Sequence, residues 1–266
     1  MRSIVVLLGL LVLVGSSQAE AGNPVALIWK GAKSKAEAEA QRSAWDGINN
    51  LLAKTGFVLA EGHPRLIESK TLPGLKPGFW VWLLGVCPSD EAGSLLEQIK
   101  VLSPETYSRE VKVSAKMLAC PSKEGPALEA RNERLKLPDG ATLRVITHEE
   151  SHTPEEDEGG DSYTRTQYYF VLVGKGGDVL GWDNVVGEED VTGDPRNGPM
   201  AFRCEVTGIK ASGGSTLVLT RQCRAGVAEC GSVVGADEVT PVTVKGTSVS
   251  AGTTKRENEE REDCSE

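Results

Sequence analysis

One short motif in this chain has the residue types and spacing of a catalytic metal site. His148, Glu149 and His152 follow the pattern HExxH, in which both histidines bind zinc and the glutamate is the base for a metal-bound water. That chemistry requires a helix, because only a helical turn places residues i and i+4 beside the same ion. Here an alternating, strand-like segment precedes the motif, and Pro154 and Gly159 follow closely. We therefore expect a solvated loop, with no metal or cofactor, and keep zinc hydrolysis as a second alternative.

Other catalytic signatures are missing from the sequence. Residues 155–161 and 183–194 are acidic enough to bind Ca²⁺ weakly, but neither stretch has EF-hand spacing. The chain contains no G-x-S-x-G motif, Walker loop or dinucleotide-binding fingerprint. We therefore predict a protein that is not an enzyme.

Six cysteines form an even set, which is typical of disulfides in an exported protein. Strand-like segments lie on both sides of the turn at residues 212–215, and a hairpin centred on Gly213-Gly214 pairs residues whose numbers add to 427. Cys204 and Cys223 meet that condition, so they are expected to form a cross-strand disulfide. Elimination then leaves two further candidate pairs, Cys87–Cys120 and Cys230–Cys264. Metal binding is the weaker interpretation, because the spacings are wide and no CxxC occurs.

The first 21 residues have the three-part pattern of a signal peptide. A short basic start precedes an apolar run at residues 4–14, and small residues then allow cleavage near Ala19 or Ala21. No later apolar stretch is long enough to cross a membrane, and no cysteine lies at the cleavage site for lipid attachment. We predict an exported protein, periplasmic or extracellular, with no membrane span in the mature chain. The formal net charge of -9 argues against a nucleic-acid partner.

The elements needed to position any site follow from periodicity and turn signals. Residues 22–120 predict the order βαββαβ, with a capping box from Ser34 to Glu37 before the first helix and Pro104 after the second. Residues 121–137 are rich in proline, glycine and charge and predict a linker. Residues 138–250 predict a small all-β domain, followed by a charged tail at 251–266. The predicted fold class is α+β, with an N-terminal ferredoxin-like domain and an all-β domain after it.

The first half carries motifs that are similar to a known family. The segment GFWVWLLG at residues 78–85, followed by SDEA at 89–92 and YSREV at 107–111, resembles the SPOR (sporulation-related repeat) domain over about residues 24–115. An internal repeat, in which a strand, a glycine and a helix follow one another twice in the same order, supports the resemblance. The family consists of exported modules that bind peptidoglycan glycan strands stripped of their peptides, on the open face of a four-stranded sheet. The resemblance implies Trp29 and Arg109 as binding candidates.

The central strand of this half is apolar on both faces. By period-two alternation Trp82 and Leu84 face one side, while Val81 and Leu83 face the other. A strand of this kind is usually covered on both faces, so we expect a second domain, a partner or a ligand over the sheet. The aromatic residues here fit either a core or a surface that binds sugars.

Together these observations predict an exported cell-envelope binding protein, with peptidoglycan glycan strands or an envelope protein as its partner. The first alternative is an exported protein-interaction or inhibitor-type protein in which the first half is only a scaffold. The second alternative is a zinc hydrolase that uses the HExxH residues.

Overall fold

A computed structural model describes residues 22–155, 160–193, 201–225 and 233–263. The predicted signal peptide and the predicted Cys230–Cys264 pair lie outside the described residues. The helices are α1 (Lys35–Glu39), α2 (Arg42–Ala53) and α3 (Ser89–Leu102). The strands are β1 (Val25–Ala32), β2 (Phe57–Val58), β3 (Arg65–Glu68), β4 (Trp80–Cys87), β5 (Tyr107–Glu110), β6 (Ser122–Lys123), β7 (Glu129–Lys136), β8 (Thr142–His152), β9 (Ser162–Val173), β10 (Val179–Thr192), β11 (Ala201–Ala211), β12 (Thr216–Ala225), β13 (Val233–Lys245), β14 (Ser248–Ala251) and β15 (Lys255–Arg261).

The first sheet has four antiparallel strands in the order β3-β4-β1-β5. Its central strands are buried on both faces, as their unbroken apolar sequences predict. Leu27 and Trp29 face the helices, while Ile28, on the opposite face, belongs to a separate small core. We call the side away from the helices the outer face.

The first and third helices begin where the sequence indicates, and α3 buries the predicted face. Ser34 and Glu37 form a reciprocal capping box that satisfies free backbone N–H groups at the start of α1. A second helix, α2, follows immediately and buries Trp45 and Ile48. The helix α3 buries its residues at a 3.6-residue period, namely Ala92, Leu95, Leu96, Ile99 and Leu102.

The second sheet is an antiparallel array of nine strands that curls over its own core. The path runs β14-β13-β12-β11-β10-β9-β8-β7, and β15 also pairs with β13. Leu143 and Phe170 of β8 and β9 share this core with Leu219 of β12 and Val242 of β13. The amide of Ala251 donates to the Asp183 carboxylate at 2.7 Å, which joins β14 to β10 across the fold.

The helices lie between the two sheets rather than on the surface of the first one. Ile146, Tyr169 and Val171 of the large sheet belong to the same core cluster as Trp45 of α2 and Leu95 of α3. The two halves therefore share one apolar layer, and β8 and β9 are buried on both faces because a core lies on each side.

The predicted α+β class, with its ferredoxin-like βαββαβ first domain, is wrong. Strands account for 53% of the described residues and helices for only 16%, and large antiparallel sheets dominate this part of the chain. The helical periodicity of residues 22–120 suggested an independent α+β unit, whereas these helices form a middle layer against strands from the other half. The long strands of the second half, up to 14 residues each, decide the class.

Two segments predicted to lack regular structure contain strands. The predicted linker at 121–137 contributes β7, which pairs with β8 and places Leu135 against the core of the large sheet. The predicted tail at 251–266 contributes β15, an exposed and charged strand that pairs with β13. Charge hid both strands, and proline also hid the first one, because an edge strand needs few apolar residues.

Candidate ligand-binding site

The HExxH motif lies in a strand, where its histidines cannot share an ion. All three residues belong to β8, and four residues of extended chain separate the two histidines by about 13 Å. His148 is buried and His152 is exposed, while Glu149 points to the opposite face of the sheet. No group of three or more His, Cys, Asp or Glu side chains in the described part of the chain is arranged to hold a metal ion.

The two binding candidates, Trp29 and Arg109, lie on opposite sides of the first sheet. Trp29 is fully buried among the helices, stacks at a tilt on Trp45 and donates from Nε1 to the Ser103 hydroxyl at 3.0 Å. Its side chain is therefore a satisfied part of the core. Arg109 is exposed and lies on the outer face, where it is the cross-strand neighbour of Ala26. The structure therefore does not bring the two candidates together.

The outer face is apolar at its centre. Cross-strand pairing aligns Ile28 with Tyr107, and Ile67 with Val81, on this face. Both Ile28 and Val81 are almost completely buried. The face is therefore covered over most of its area, and its cover comes from the same half of the chain.

The cover is the segment 69–79 between β3 and β4. Leu72 is buried in the small core of the outer face, and the amide of Lys112 donates to the Pro73 carbonyl at 2.8 Å. Gly74 has a φ of 111°, and a Cβ there would lie 2.6 Å from the Glu110 carbonyl oxygen. Only glycine therefore allows the segment to approach the end of β5 this closely.

Between this segment and β5 a cavity of about 360 Å³ remains open. We call it the sheet cavity. Its lining consists of Ile28, Ser69, Gly74, Leu75, Lys76, Phe79, Val81, Tyr107 and Arg109. An apolar and aromatic floor with a few polar groups at the rim is the usual composition of a ligand pocket.

Two cations lie at the rim of the sheet cavity. The Arg109 guanidinium lies 5.0 Å from the centre of the Tyr107 ring and donates to the Ser108 carbonyl at 2.8 Å. Burial raises the pKa of the Tyr107 phenol, although the Arg109 charge opposes this effect, so the phenol is neutral at pH 7. In the described part of the chain neither Lys76 nor Arg109 forms an ion pair with a carboxylate, so both charges are available to a ligand.

A second depression, which we call the polar cleft, lies on the curled sheet. It consists of two neighbouring cavities of about 260 and 340 Å³ that share Glu149, Thr166 and Glu188. These residues are cross-strand neighbours on the face that is apolar further along β8 and β9. The Tyr168 hydroxyl donates to Glu188 at 2.9 Å. The cleft can accept hydrogen bonds, and acidic side chains predominate in its lining.

Two disulfides are present among the residues that the structure describes, Cys87–Cys120 and Cys204–Cys223, and both pairs are among those predicted from the sequence. The first ties the end of β4 to the segment before β6, and the second links facing residues of β11 and β12. Disulfides of this kind indicate an oxidising, exported environment. Among the described residues, no helix has the length and apolar character needed to cross a membrane.

Comparisons with known proteins give no family for the chain. No family model, no curated protein and no solved structure matches it. The site must therefore be interpreted from its own chemistry.

Sequence reasoning identified one rim residue, Arg109, but not the rest of the cavity. Phe79 and Tyr107 are 28 positions apart, and only the strand order β4-β1-β5 brings them to the same pocket. The available signal was the turn 72–78, whose prolines and glycines could have been interpreted as a fixed cover rather than as a simple connection.

Proposed function

We propose that this protein is an exported, non-enzymatic carbohydrate-binding protein of the cell envelope, and that its site is the sheet cavity. The observation that carries the proposal is the cavity on the outer face, with Tyr107 and Phe79 half-buried beside exposed polar groups. Half-buried aromatic rings present an apolar surface to a sugar ring, while their surroundings supply hydrogen bonds. Peptidoglycan glycan strands are the proposed ligand, since the SPOR-like motifs lie on the strands that build this face.

The volume and location of the cavity agree with a sugar ligand. About 360 Å³ lies at the lower end of the range for small-molecule pockets and suits one or two sugar rings. The covering segment is held by backbone hydrogen bonds, including Ser69 N–H to the Phe79 carbonyl at 2.8 Å, so the pocket is formed before the ligand arrives. A preformed site reduces the ordering cost of binding.

Co-sedimentation with glycan strands from which an amidase has removed the peptides tests this proposal. The wild-type protein is expected to co-sediment with the treated cell-wall material, and Tyr107→Ala is expected to weaken binding about tenfold, which corresponds to about 1.4 kcal/mol. The matched control is Tyr163→Ala. The Arg165 guanidinium lies 4.1 Å from the centre of the Tyr163 ring, so this tyrosine also lies beside an arginine, but it belongs to β9. Wild-type protein that stays wholly in the supernatant would contradict the proposal.

A protein partner is the second candidate, and the polar cleft is the observation that favours it. Glu149 and Glu205 are exposed along the cleft and would suit a basic segment of an envelope protein. A pull-down from envelope extract that retains one stable protein, together with no retention on glycan, would favour this candidate.

A further inference from the structure

From the charges at the rim we infer that the sheet cavity selects an acidic sugar, whose carboxylate is bound by Arg109 and Lys76. The inference rests on the proposed carbohydrate-binding function and specifies the ligand class of the same site. Its basis is a local excess of positive charge on a protein whose formal net charge is -9.

The outer face carries cations, and the acids of its strands point elsewhere. Arg65 and Arg109 occupy outer-face positions, as their pairing with Leu83 and Ala26 indicates. Glu68 and Glu110 alternate onto the other side of the same strands. Glu68 pairs with Lys70 at 2.8 Å, and Glu110 accepts from the Asn23 amide at 3.4 Å. No strand carboxylate therefore neutralises the rim.

The Arg109 guanidinium is restrained beside the cavity by its contact with the Tyr107 ring and by the bond from Nη1 to the Ser108 carbonyl. Its Nε and Nη2 atoms make no hydrogen bond in the described part of the chain, and together they can donate to two carboxylate oxygens. Lys76, on the covering segment, adds a point charge at the same rim. A sugar ring on the apolar floor would thus project a carboxylate between two cations from different elements.

Glycan strands stripped of peptide provide the test, because each muramic acid residue then carries a free lactyl carboxylate. Solubilised strands are compared with the same strands after carbodiimide coupling to methylamine, which converts the carboxylates into neutral amides. Titration calorimetry at low salt is expected to give at least tenfold tighter binding of the acidic strands. Arg109→Gln and Lys76→Gln are each expected to reduce the ratio of the affinities for acidic and amidated strands severalfold. Arg203→Gln, an exposed arginine of β11, is the matched control and should leave the ratio unchanged.

The outcomes separate this inference from the function on which it rests. Equal affinity of the wild-type protein for both polymers overturns the carboxylate inference and leaves glycan binding intact. The carboxylate inference is also overturned if the ratio of affinities is unchanged in both Arg109→Gln and Lys76→Gln. The discrimination between the two polymers would then lie at another surface. Binding of neither polymer overturns the proposed function and this inference together.

Discussion

Individual aromatic residues of the first half differ in where their polar atoms find partners. Trp29 and Trp82 donate their indole N–H groups to Ser103 and to the Ala38 carbonyl inside the core. In the described part of the chain the Tyr107 hydroxyl has no hydrogen-bond partner. A ring whose polar atom is already satisfied contributes stability, whereas one that leaves its hydroxyl unused beside a cavity can give that bond to a ligand.

His148 predicts how stability depends on pH. The side chain is buried, and its Nδ1 atom has no hydrogen-bond partner among the described residues. Burial lowers the pKa of His148; Glu150 and Glu149 oppose this shift, and Lys123 adds to it. The unfolded chain therefore binds a proton at higher pH than the folded chain, and stability falls as pH drops below about 6.5.

Urea unfolding at pH 7.5 and pH 5.0 measures this effect. His148→Phe keeps an aromatic ring in the core but cannot titrate, so its loss of stability between the two pH values should be smaller than that of the wild type. One proton contributes at most about 1.4 kcal/mol per pH unit. His152→Gln is the control, because His152 is exposed on the same strand. The same pH dependence in the wild type and His148→Phe would rule out this role for His148.

Secondary-structure elements were predictable where the signal is local. The buried positions of α3 follow from a 3.6-residue period, and the capping box follows from the spacing of three residues between Ser34 and Glu37.

The hairpin of β11 and β12 shows both what such reasoning can predict and what it misses. Near its tip the paired residue numbers add to 428, and a bulge between Val206 and Gly208 shifts them to 427 at Cys204 and Cys223. The predicted pair is present, but for a reason that includes a bulge the sequence did not reveal.

Elements defined by long-range pairing were not predictable in the same way. β7 has an exposed, charged sequence, and it exists because β8 offers it an edge and the core accepts Leu135. The sheet cavity likewise needs a covering segment, two non-adjacent strands and their order in the sheet. Periodicity reports which face of a strand is apolar, but not which segment will cover that face.

The covering segment depends on Gly74, which gives a test at the scale of the element. Gly74→Ala would place a Cβ 2.6 Å from the Glu110 carbonyl oxygen at a backbone φ of 111°. The segment is then expected to lift from β5, with a cost of about 1–3 kcal/mol and a loss of ligand binding. Gly62→Ala is a closely matched control, since its φ is 75° and no atom lies within 4 Å of its Cβ position. Similar losses of binding in both variants would show that the close approach of Gly74 has no special role.

At the scale of the whole molecule, the shared core couples the two halves. The helices contribute to one apolar layer with β8, β9 and β10, and Lys30 of β1 bridges Glu105 and Asp178 at 3.1 and 2.8 Å. Burial lowers the pKa of Lys30, but its bonds to Asp178 and Glu105 outweigh this effect and raise it overall. Two halves joined in this way should unfold together, although the sequence predicts a linker between them.

Ile146→Ala tests this coupling. Ile146 belongs to β8 but packs in the core that contains Trp29 and Trp45, so its truncation should cost about 2–5 kcal/mol of unfolding free energy. Four of the five tryptophans lie in the first half, so their fluorescence reports mainly on that half, while circular dichroism reports mainly on the strands. The two urea transitions should coincide in the wild type and move together in the variant.

The control for this experiment is Val58→Ala, because Val58 is 59% exposed and should leave both transitions in place. If the circular dichroism transition moved to lower urea while the tryptophan fluorescence transition did not, the halves would be thermodynamically independent. The apolar layer would then be only a contact between them.

A joint shift of both transitions would mean that ligand binding in the sheet cavity stabilises the large sheet as well. A ligand that binds only the folded state raises the free energy of unfolding of the whole cooperative unit. Adding glycan strands to the Ile146→Ala variant should then raise both midpoints together.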